Sequence, residues 1–256
     1  MLVGTVARGD ACAGRCFCGT AGFSGRLQRT RMRQLALELA SPPAPKLDNF
    51  VTGDNAEAVA VLRALAGGGG DERFIYLWGA PGSGRSHLLR GTLQALAAAG
   101  REVRLYASDV APQADDPATV VAVDDVERLD AQAQISLFNI FNNLKESGGI
   151  LLVTGALPPA RLPLRADLLT RLASGLVYEV RALSDADLRA AVVDYAAARG
   201  FALPAEVTDY LLVRVPRDLS SLRALVDTLD RVSLEQKRAV TVPLAREVLQ
   251  LLQRNN

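Results

Sequence analysis

The segment GAPGSGRS at residues 79–86 constrains the fold more than any other part of this sequence. It follows the apolar run Phe74 to Trp78 and leads into a helix-forming run from His87 to Ala99, which predicts a strand, a tight turn and a helix. Glycines at 79, 82 and 84 permit backbone conformations in which successive N–H groups point at one anion, and the helix N-terminus adds its positive dipole end. The spacing is that of a P-loop, so we expect this turn to bind a phosphate group.

Two residues of the P-loop pattern carry specific chemistry. Ser86 is in the position that ligates Mg²⁺, and the basic residue before it reaches the outer phosphates. That residue is Arg85, where the pattern has lysine, and a planar guanidinium follows a moving phosphate less well than a compact ammonium. We therefore interpret the site as one that binds nucleotide firmly and hydrolyses it weakly or not at all. The alternative is a glycine-rich turn without a ligand, which the strand-to-helix context disfavours.

A second candidate site lies at the end of the apolar run Val120 to Val123, where Asp124 and Asp125 follow directly. Parallel sheets place ligand chemistry at the carboxyl ends of their strands, so this pair is suited to a Walker B element. Asp124 would hold Mg²⁺ through water. Asp125 takes the place where many ATPases have a glutamate that polarises water, and its shorter side chain again favours binding over turnover. Paired aspartates are otherwise ordinary turn residues.

Composition and patterning predict an α/β fold with a parallel sheet flanked by helices. The chain has 256 residues, few aromatic residues (5%) and five apolar segments that predict strands, at 74–78, 103–107, 120–123, 150–154 and 176–180. Four helical runs follow residue 184 and predict a small all-helical domain. The net charge of +1 predicts no strong overall electrostatic attraction to nucleic acid. No apolar stretch is long enough to span a bilayer.

The amino terminus differs from the rest of the chain. Residues 1–31 are rich in Gly and Arg and contain all three cysteines, Cys12, Cys16 and Cys18. A closed zinc site needs four ligands, which disfavours zinc here, and we expect this segment to be disordered or an extension upstream of the natural start. The segment QLALEL, at residues 34–39, precedes a proline-rich stretch. From periodicity alone it is either a fraying helix or an exposed peptide that docks on a partner.

Several motifs together resemble one family of AAA+ proteins. They are FVTGDN at 50–55, YLWGAPGSGRSHLL at 76–89, VDD at 123–125, LLVTG at 151–155, DLLTRL at 167–172 and RGFALP at 199–204. The chain resembles the nucleotide domain of the bacterial initiator DnaA and, more closely, the Hda family of DnaA regulatory inactivators, over roughly residues 32–254. GRSHLL and QLALEL are the most specific of these features. The resemblance implies an AAA+ P-loop domain with a five-stranded parallel sheet at 46–182, a helical lid at 183–256, and a clamp-binding peptide with a linker at 32–45.

The resemblance also implies roles for individual residues. The site would hold ADP or ATP with Mg²⁺, the metal on Ser86 and Asp124. Arg171 would be an arginine finger acting on a neighbouring subunit, Asp125 and Thr154 would take part in hydrolysis, and Arg217 would be sensor 2, touching the chain's own nucleotide. Thr154 is at the sensor-1 position, but it is followed by Ala156 and Leu157, where relatives have an acidic-basic pair. The residues implied for the adenine are Phe50, Val51, Gly53 and Asn55; those implied for the phosphates are Gly79, Pro81, Gly82, Ser83, Gly84, Arg85, Ser86 and His87; those implied for the clamp are Gln34, Leu35, Leu37 and Leu39.

The partners implied by the resemblance are DnaA and the DNA polymerase III sliding clamp (beta subunit), in the bacterial cytoplasm near the replisome. We expect a negative regulator of replication initiation, with weak intrinsic ATPase activity, no dedicated DNA-binding domain and no membrane contact, and self-association is left open. Two other classes remain open from the sequence. One is a self-contained AAA+ loader or remodelling motor, and the other is a DnaA-like adaptor that targets a protein to DNA.

Overall fold

The computed structural model describes residues 44–107, 112 and 119–254. These ranges include the P-loop, both aspartates of the second candidate site and the helical runs predicted after residue 184. The three cysteines, the predicted extension at 1–31 and the predicted clamp-binding residues Gln34, Leu35, Leu37 and Leu39 lie outside the described residues.

A parallel sheet forms the centre of the first part of the chain, and it confirms the predicted five-stranded arrangement within the described ranges. Its strands are β1 (Phe74–Trp78), β2 (Val103–Tyr106), β3 (Val120–Val123), β4 (Ile150–Gly155) and β5 (Leu176–Glu179). They lie in the order β2-β3-β4-β1-β5, and every pair is parallel. The central strands are mostly apolar because helices cover both faces of the sheet.

Eight helices accompany this sheet in the described part of the chain. They are α1 (Ala56–Ala66), α2 (Arg85–Ala98), α3 (Ala131–Ser147), α4 (Ala166–Leu172), α5 (Asp185–Ala198), α6 (Ala205–Arg214), α7 (Leu219–Gln236) and α8 (Val242–Arg254). Short 3₁₀ turns lie at Val126–Arg128 and Pro159–Arg161. None of these helices has the length and apolar character needed to cross a bilayer.

Alternation along the strands divides the apolar side chains between two cores. Ile75 and Leu77 of β1 pack with α1 and α2 on one face of the sheet, whereas Tyr76 packs with α3 and α4 on the other. A third core lies among α5 to α8 and is the interior of the helical lid. The boundaries at 46–182 and 183–256 stay predictions.

Side-chain contacts explain three local features of the helices. Ser184 caps α5, because its hydroxyl accepts a hydrogen bond from the Asp187 N–H at 3.1 Å. Asn55 stands at the N-cap of α1 but makes no side-chain cap bond, since its amide is used elsewhere. On α3, Ile135 and Phe138 are only half-buried. The buried face of this helix runs through Leu137, Ile140 and Leu144 instead.

Candidate nucleotide-binding site

The turn between β1 and α2 has the backbone that its glycines predict. Gly82 and Gly84 have φ values of 79° and 99°, a region that side chains with a Cβ rarely adopt. A Cβ at Gly84 would lie 2.7 Å from Cε2 of Phe50, and one at Gly82 would lie 3.1 Å from Cβ of Asp218. The first turn of α2 has no acidic residue, so nothing there repels an anion at the helix N-terminus. This turn is therefore shaped for close approach by a negatively charged group.

Two buried donors in this turn lack acceptors within the described protein. They are the Ser83 hydroxyl and Nη1 of Arg85, whose residue is 9% exposed. The other terminal nitrogen of Arg85 lies 3.4 Å from an Asp125 carboxylate oxygen. A buried donor without an acceptor is costly, and a phosphate oxygen is the kind of acceptor that a guanidinium binds well. The residues present therefore fit the phosphate end of a nucleotide.

Two adjoining cavities extend from the turn toward the lid, and they differ in chemistry. Both are lined by Gly82, Gly84, His87, Arg217 and Ser220. One of them also has apolar walls, made by Phe50, Val51, Leu183, Leu188 and Leu219. The other also has the polar groups of Arg85, Ser86 and Asp218. A cavity with apolar walls beside one with polar walls can take a planar base and its phosphates.

Two of the four residues predicted at the base line the apolar cavity, namely Phe50 and Val51. The other two, Gly53 and Asn55, do not line it. A Cβ at Gly53 would lie 2.9 Å from Cδ2 of Leu183, which is a cavity wall. Asn55 is 4% exposed; its Nδ2 donates to the Arg181 carbonyl at 3.0 Å and its Oδ1 accepts from the Arg181 N–H at 2.8 Å. Asn55 therefore fixes the chain where β5 leads into the lid.

His87 lines both cavities and is held in a defined orientation. Its Nε2 donates to the Lys46 carbonyl at 2.9 Å, and its ring lies 5.5 Å from the Phe50 ring. Burial lowers the pKa of His87 below its ordinary value, and the nearby positive charge of Arg223 lowers it further. With Nε2 carrying the proton of the neutral ring, Nδ1 is free to accept a hydrogen bond.

At the carboxyl ends of β3 and β4, Thr154 holds the two aspartates together. Its hydroxyl donates to Oδ1 of Asp124 at 2.7 Å and accepts from the Asp125 N–H at 2.9 Å. Thr154 is fully buried, and its single hydroxyl hydrogen is used by Asp124. In this arrangement Thr154 positions the two aspartates. Its sensor-1 contact with a nucleotide stays a prediction.

Asp125 has an unusual backbone for a residue that is not glycine. Its φ of 53° is in the left-handed region, where Asp and Asn are tolerated far better than Glu. Its carboxylate lies 3.4 Å from Arg85 and 3.8 Å from Arg128. The backbone therefore gives a physical reason for aspartate at this position.

The predicted magnesium ligands, Ser86 and Asp124, are brought together, but they already bind protein groups. Asp124 is 6% exposed and its Oδ1 accepts from the Ser86 hydroxyl at 2.9 Å as well as from Thr154. Its Oδ2 faces Nη2 of Arg90 at 3.4 Å. With its charge balanced by arginine, this donor set does not fit Mg²⁺.

The two remaining predicted arginines lie in different surroundings. Arg217 lines both cavities, and its guanidinium pairs with Asp185 of α5 at 3.3 Å. Arg171, near the end of α4, lines neither cavity. Its guanidinium carbon lies 5.5 Å and 5.4 Å from the ring centroids of Phe138 and Phe141, and it has no carboxylate partner among the described residues. Arg171 is thus held by aromatic faces, with its charge left unpaired by any described carboxylate.

Sequence reasoning missed two arginines that the structure brings to the site. Arg90 follows Ser86 by one helical turn, and that spacing was the available signal. Arg223 lies one turn after Leu219 on α7 and lines the apolar cavity. Its Nε is buried without a hydrogen-bond partner in the described ranges, and its guanidinium lies 5.3 Å from the Tyr195 ring centroid. Burial lowers the pKa of Arg223, so its charge is poorly solvated.

The sheet order, the P-loop between β1 and α2, and the helical lid together form an AAA+ P-loop fold. The fold is similar to domain III of DnaA from Thermotoga maritima, with a TM-score of 0.70 and 20% identity over 82% of this chain and 97% of that one. It is similar to AMPPCP-bound DnaA from Aquifex aeolicus, with a TM-score of 0.65 and 20% identity over 84% and 71% of the two chains. A RuvB variant from Thermotoga maritima gives a TM-score of 0.63 and 16% identity over 82% and 73%.

The lid gives the narrower assignment. Residues 185–249 match the family model described as Hda, lid domain. The lid of this chain is therefore similar to the lid of Hda proteins, and the chain shares the fold of DnaA domain III.

Proposed function

We propose that this protein is a regulator of chromosome replication initiation that inactivates DnaA. It holds ADP or ATP in its own cavities and binds the DNA-loaded sliding clamp through Gln34, Leu35, Leu37 and Leu39. It then presents Arg171 to ATP held by DnaA, which drives hydrolysis to the inactive ADP form and prevents re-initiation. The match of residues 185–249 to the Hda lid model supports the class of function. Clamp binding and the stimulation of ATP hydrolysis on DnaA are proposals. Location in the cytoplasm near the replisome and self-association are proposals as well.

Nucleotide binding is supported by two adjoining cavities, one with apolar walls and one lined by P-loop residues. Phe50, Val51 and Leu183 provide apolar walls at one end. Arg85, with its unpaired Nη1, lies at the other end beside the left-handed glycine turn. A DnaA of the same fold was solved with AMPPCP bound, which supports an adenine nucleotide for this site.

Weak hydrolysis at the chain's own site is supported by the state of Asp125. A carboxylate that is to accept a proton from water must face the water, whereas this one faces Arg85 at 3.4 Å and Arg128 at 3.8 Å. A turnover assay on the purified protein alone tests this point. Rates of about 1 per second or more, the low end for ordinary enzymes, would favour a self-contained motor.

The observation that carries the proposal is the environment of Arg171. Its guanidinium is oriented by Phe138 and Phe141, has no carboxylate partner among the described residues, and lies away from both of the chain's own cavities. An arginine finger supplied to another subunit needs these properties, because it must be pre-positioned yet free to bind new negative charge. In GTPases such a finger is worth about 10³ to 10⁵ in rate.

The test is DnaA-ATP hydrolysis in the presence of the clamp, primed DNA and this protein. Arg171→Ala should reduce the stimulation by about 10³, the lower end for a finger supplied in trans. Arg165→Ala is a matched control, since Arg165 precedes the same helix and pairs with Asp167 at 2.9 Å in an exposed position. Undiminished stimulation by the Arg171 variant would remove the finger from the proposal.

The clamp contact has a separate test that does not depend on catalysis. Gln34→Ala combined with Leu37→Ala should abolish recovery of the protein on immobilised clamp, while nucleotide binding stays as in the parent protein. Persistent clamp binding by this double variant would locate the tether elsewhere in the chain. A protein that never binds the clamp would instead fit the adaptor alternative.

A further inference from the structure

The carboxylate of Asp124, which is expected to face a metal, pairs with Arg90 of the same chain. Ser86 and Arg90 are four residues apart on α2, so they lie on one face of the helix. The Ser86 hydroxyl donates to one oxygen of Asp124 at 2.9 Å, and Nη2 of Arg90 donates to the other at 3.4 Å. With Thr154, these donors leave neither oxygen of Asp124 without a protein partner.

The same compensation extends to the neighbouring aspartate. Asp124 and Asp125 together meet three guanidinium groups within 4 Å, those of Arg85, Arg90 and Arg128. A divalent cation binds where carboxylate charge is uncompensated, and it would here be placed among three positive groups. Nucleotide phosphates have the opposite requirement, because the same guanidinium groups attract them.

We infer that this site binds its nucleotide without Mg²⁺, and that Arg90 supplies at Asp124 the positive charge that the metal would otherwise supply. The inference rests on the nucleotide binding proposed above and specifies its metal requirement. Arg85, which is buried and has an unpaired Nη1, then meets the phosphates directly. A nucleotide held in this way has no bound metal to assist its cleavage, which agrees with a site that holds nucleotide and does not turn it over.

The test is the affinity of the purified full-length protein for ADP, measured by titration calorimetry in saturating MgCl₂ and in excess EDTA. The parent protein should bind ADP with dissociation constants that agree within about threefold in the two buffers. Loss of about tenfold or more in EDTA would overturn the inference while leaving nucleotide binding in place. No ADP binding in either buffer would overturn the nucleotide-binding part of the proposed function, and the inference with it.

Three variants isolate the role of Arg90. Arg90→Gln frees Asp124, so this variant should bind ADP about tenfold more weakly in EDTA than in MgCl₂. Arg90→Lys keeps the charge and should remain insensitive to EDTA. Arg161→Gln removes the same charge at an exposed position outside the site and is the matched control. If the Arg90→Gln variant is as insensitive to EDTA as the parent protein, the role of Arg90 is overturned. If that variant does not fold, the comparison of the two buffers for the parent protein still decides the metal requirement.

Discussion

Replacing Thr154 by valine tests whether this residue positions the aspartates or reads the nucleotide. Valine keeps the shape of threonine and removes only the hydroxyl. That hydroxyl accepts the hydrogen bond from the Asp125 N–H, at 2.9 Å, and the residue is fully buried. A buried donor left without an acceptor costs about 1 to 3 kcal/mol. Asp124 keeps its bonds from Ser86 and Arg90, so it adds little further loss.

We therefore expect Thr154→Val to lower the free energy of unfolding by about 2 kcal/mol, or roughly thirtyfold in the unfolding equilibrium constant. Thr154→Ser is the matched control, because it keeps the hydroxyl and loses one buried methyl group, at a cost of about 1 kcal/mol. The assay is urea unfolding of the nucleotide-free protein. If Thr154→Val proved as stable as the parent and only its nucleotide affinity fell, the residue would be a ligand contact and the positioning role would be refuted.

The geometry of the same site supports three further predictions. His87 is the only histidine, and its pKa is lowered in the folded protein, so the stability present above about pH 6.5 should fall as the pH drops through the folded pKa. In the His87→Gln variant, the melting temperature should therefore change less between about pH 7.5 and pH 5.5. A pH dependence equal to that of the parent protein would contradict this prediction. Gly84→Ala places a Cβ 2.7 Å from Phe50 at a φ of 99°. It should therefore lower the free energy of unfolding, measured with urea, by about 2 kcal/mol and weaken ADP binding measured by calorimetry. Values equal to those of the parent protein would refute the backbone argument. Asp125→Glu should lower the free energy of unfolding by about 1 kcal/mol without raising ATP turnover. Asp125→Asn is the control, because asparagine keeps the preference for this backbone conformation. A gain in turnover by the Glu variant would show that side-chain length had limited hydrolysis.

The sheet and the P-loop were predictable because their signals are local. Glycine spacing at 79–84 and the apolar runs around it indicate a strand, a turn and a helix without any knowledge of the rest of the chain. Ser184 signalled the start of α5 in the same way, since a cap acts within one turn of helix. The lid was predictable from helical runs whose apolar faces meet in one core.

The charges of the site were not predictable, because they depend on contacts between residues far apart in the sequence. Arg90 meets Asp124 across 34 positions, and Thr154 meets Asp124 across 30. Arg223 reaches the cavity only because α7 packs beside the P-loop, where Asp218 approaches Gly82. Periodicity identifies which face of a helix is polar, but not which opposite charge will face it once the sheet has formed.

The paired hydrogen bonds between Asn55 and Arg181 restrict where the lid is able to pivot. They clamp the backbone just after β5 to the loop that precedes α1, so Arg181 moves with the sheet. Because α5 begins at Asp185 and Ser184 is its cap, rotation of the lid has to be taken up by the torsion angles of Ala182 and Leu183. Leu183 is also a wall of the apolar cavity, so the joint lies against the place where a base would enter. Amide hydrogen exchange should be slower at Arg181 than at Leu183, and equal rates would contradict this pivot.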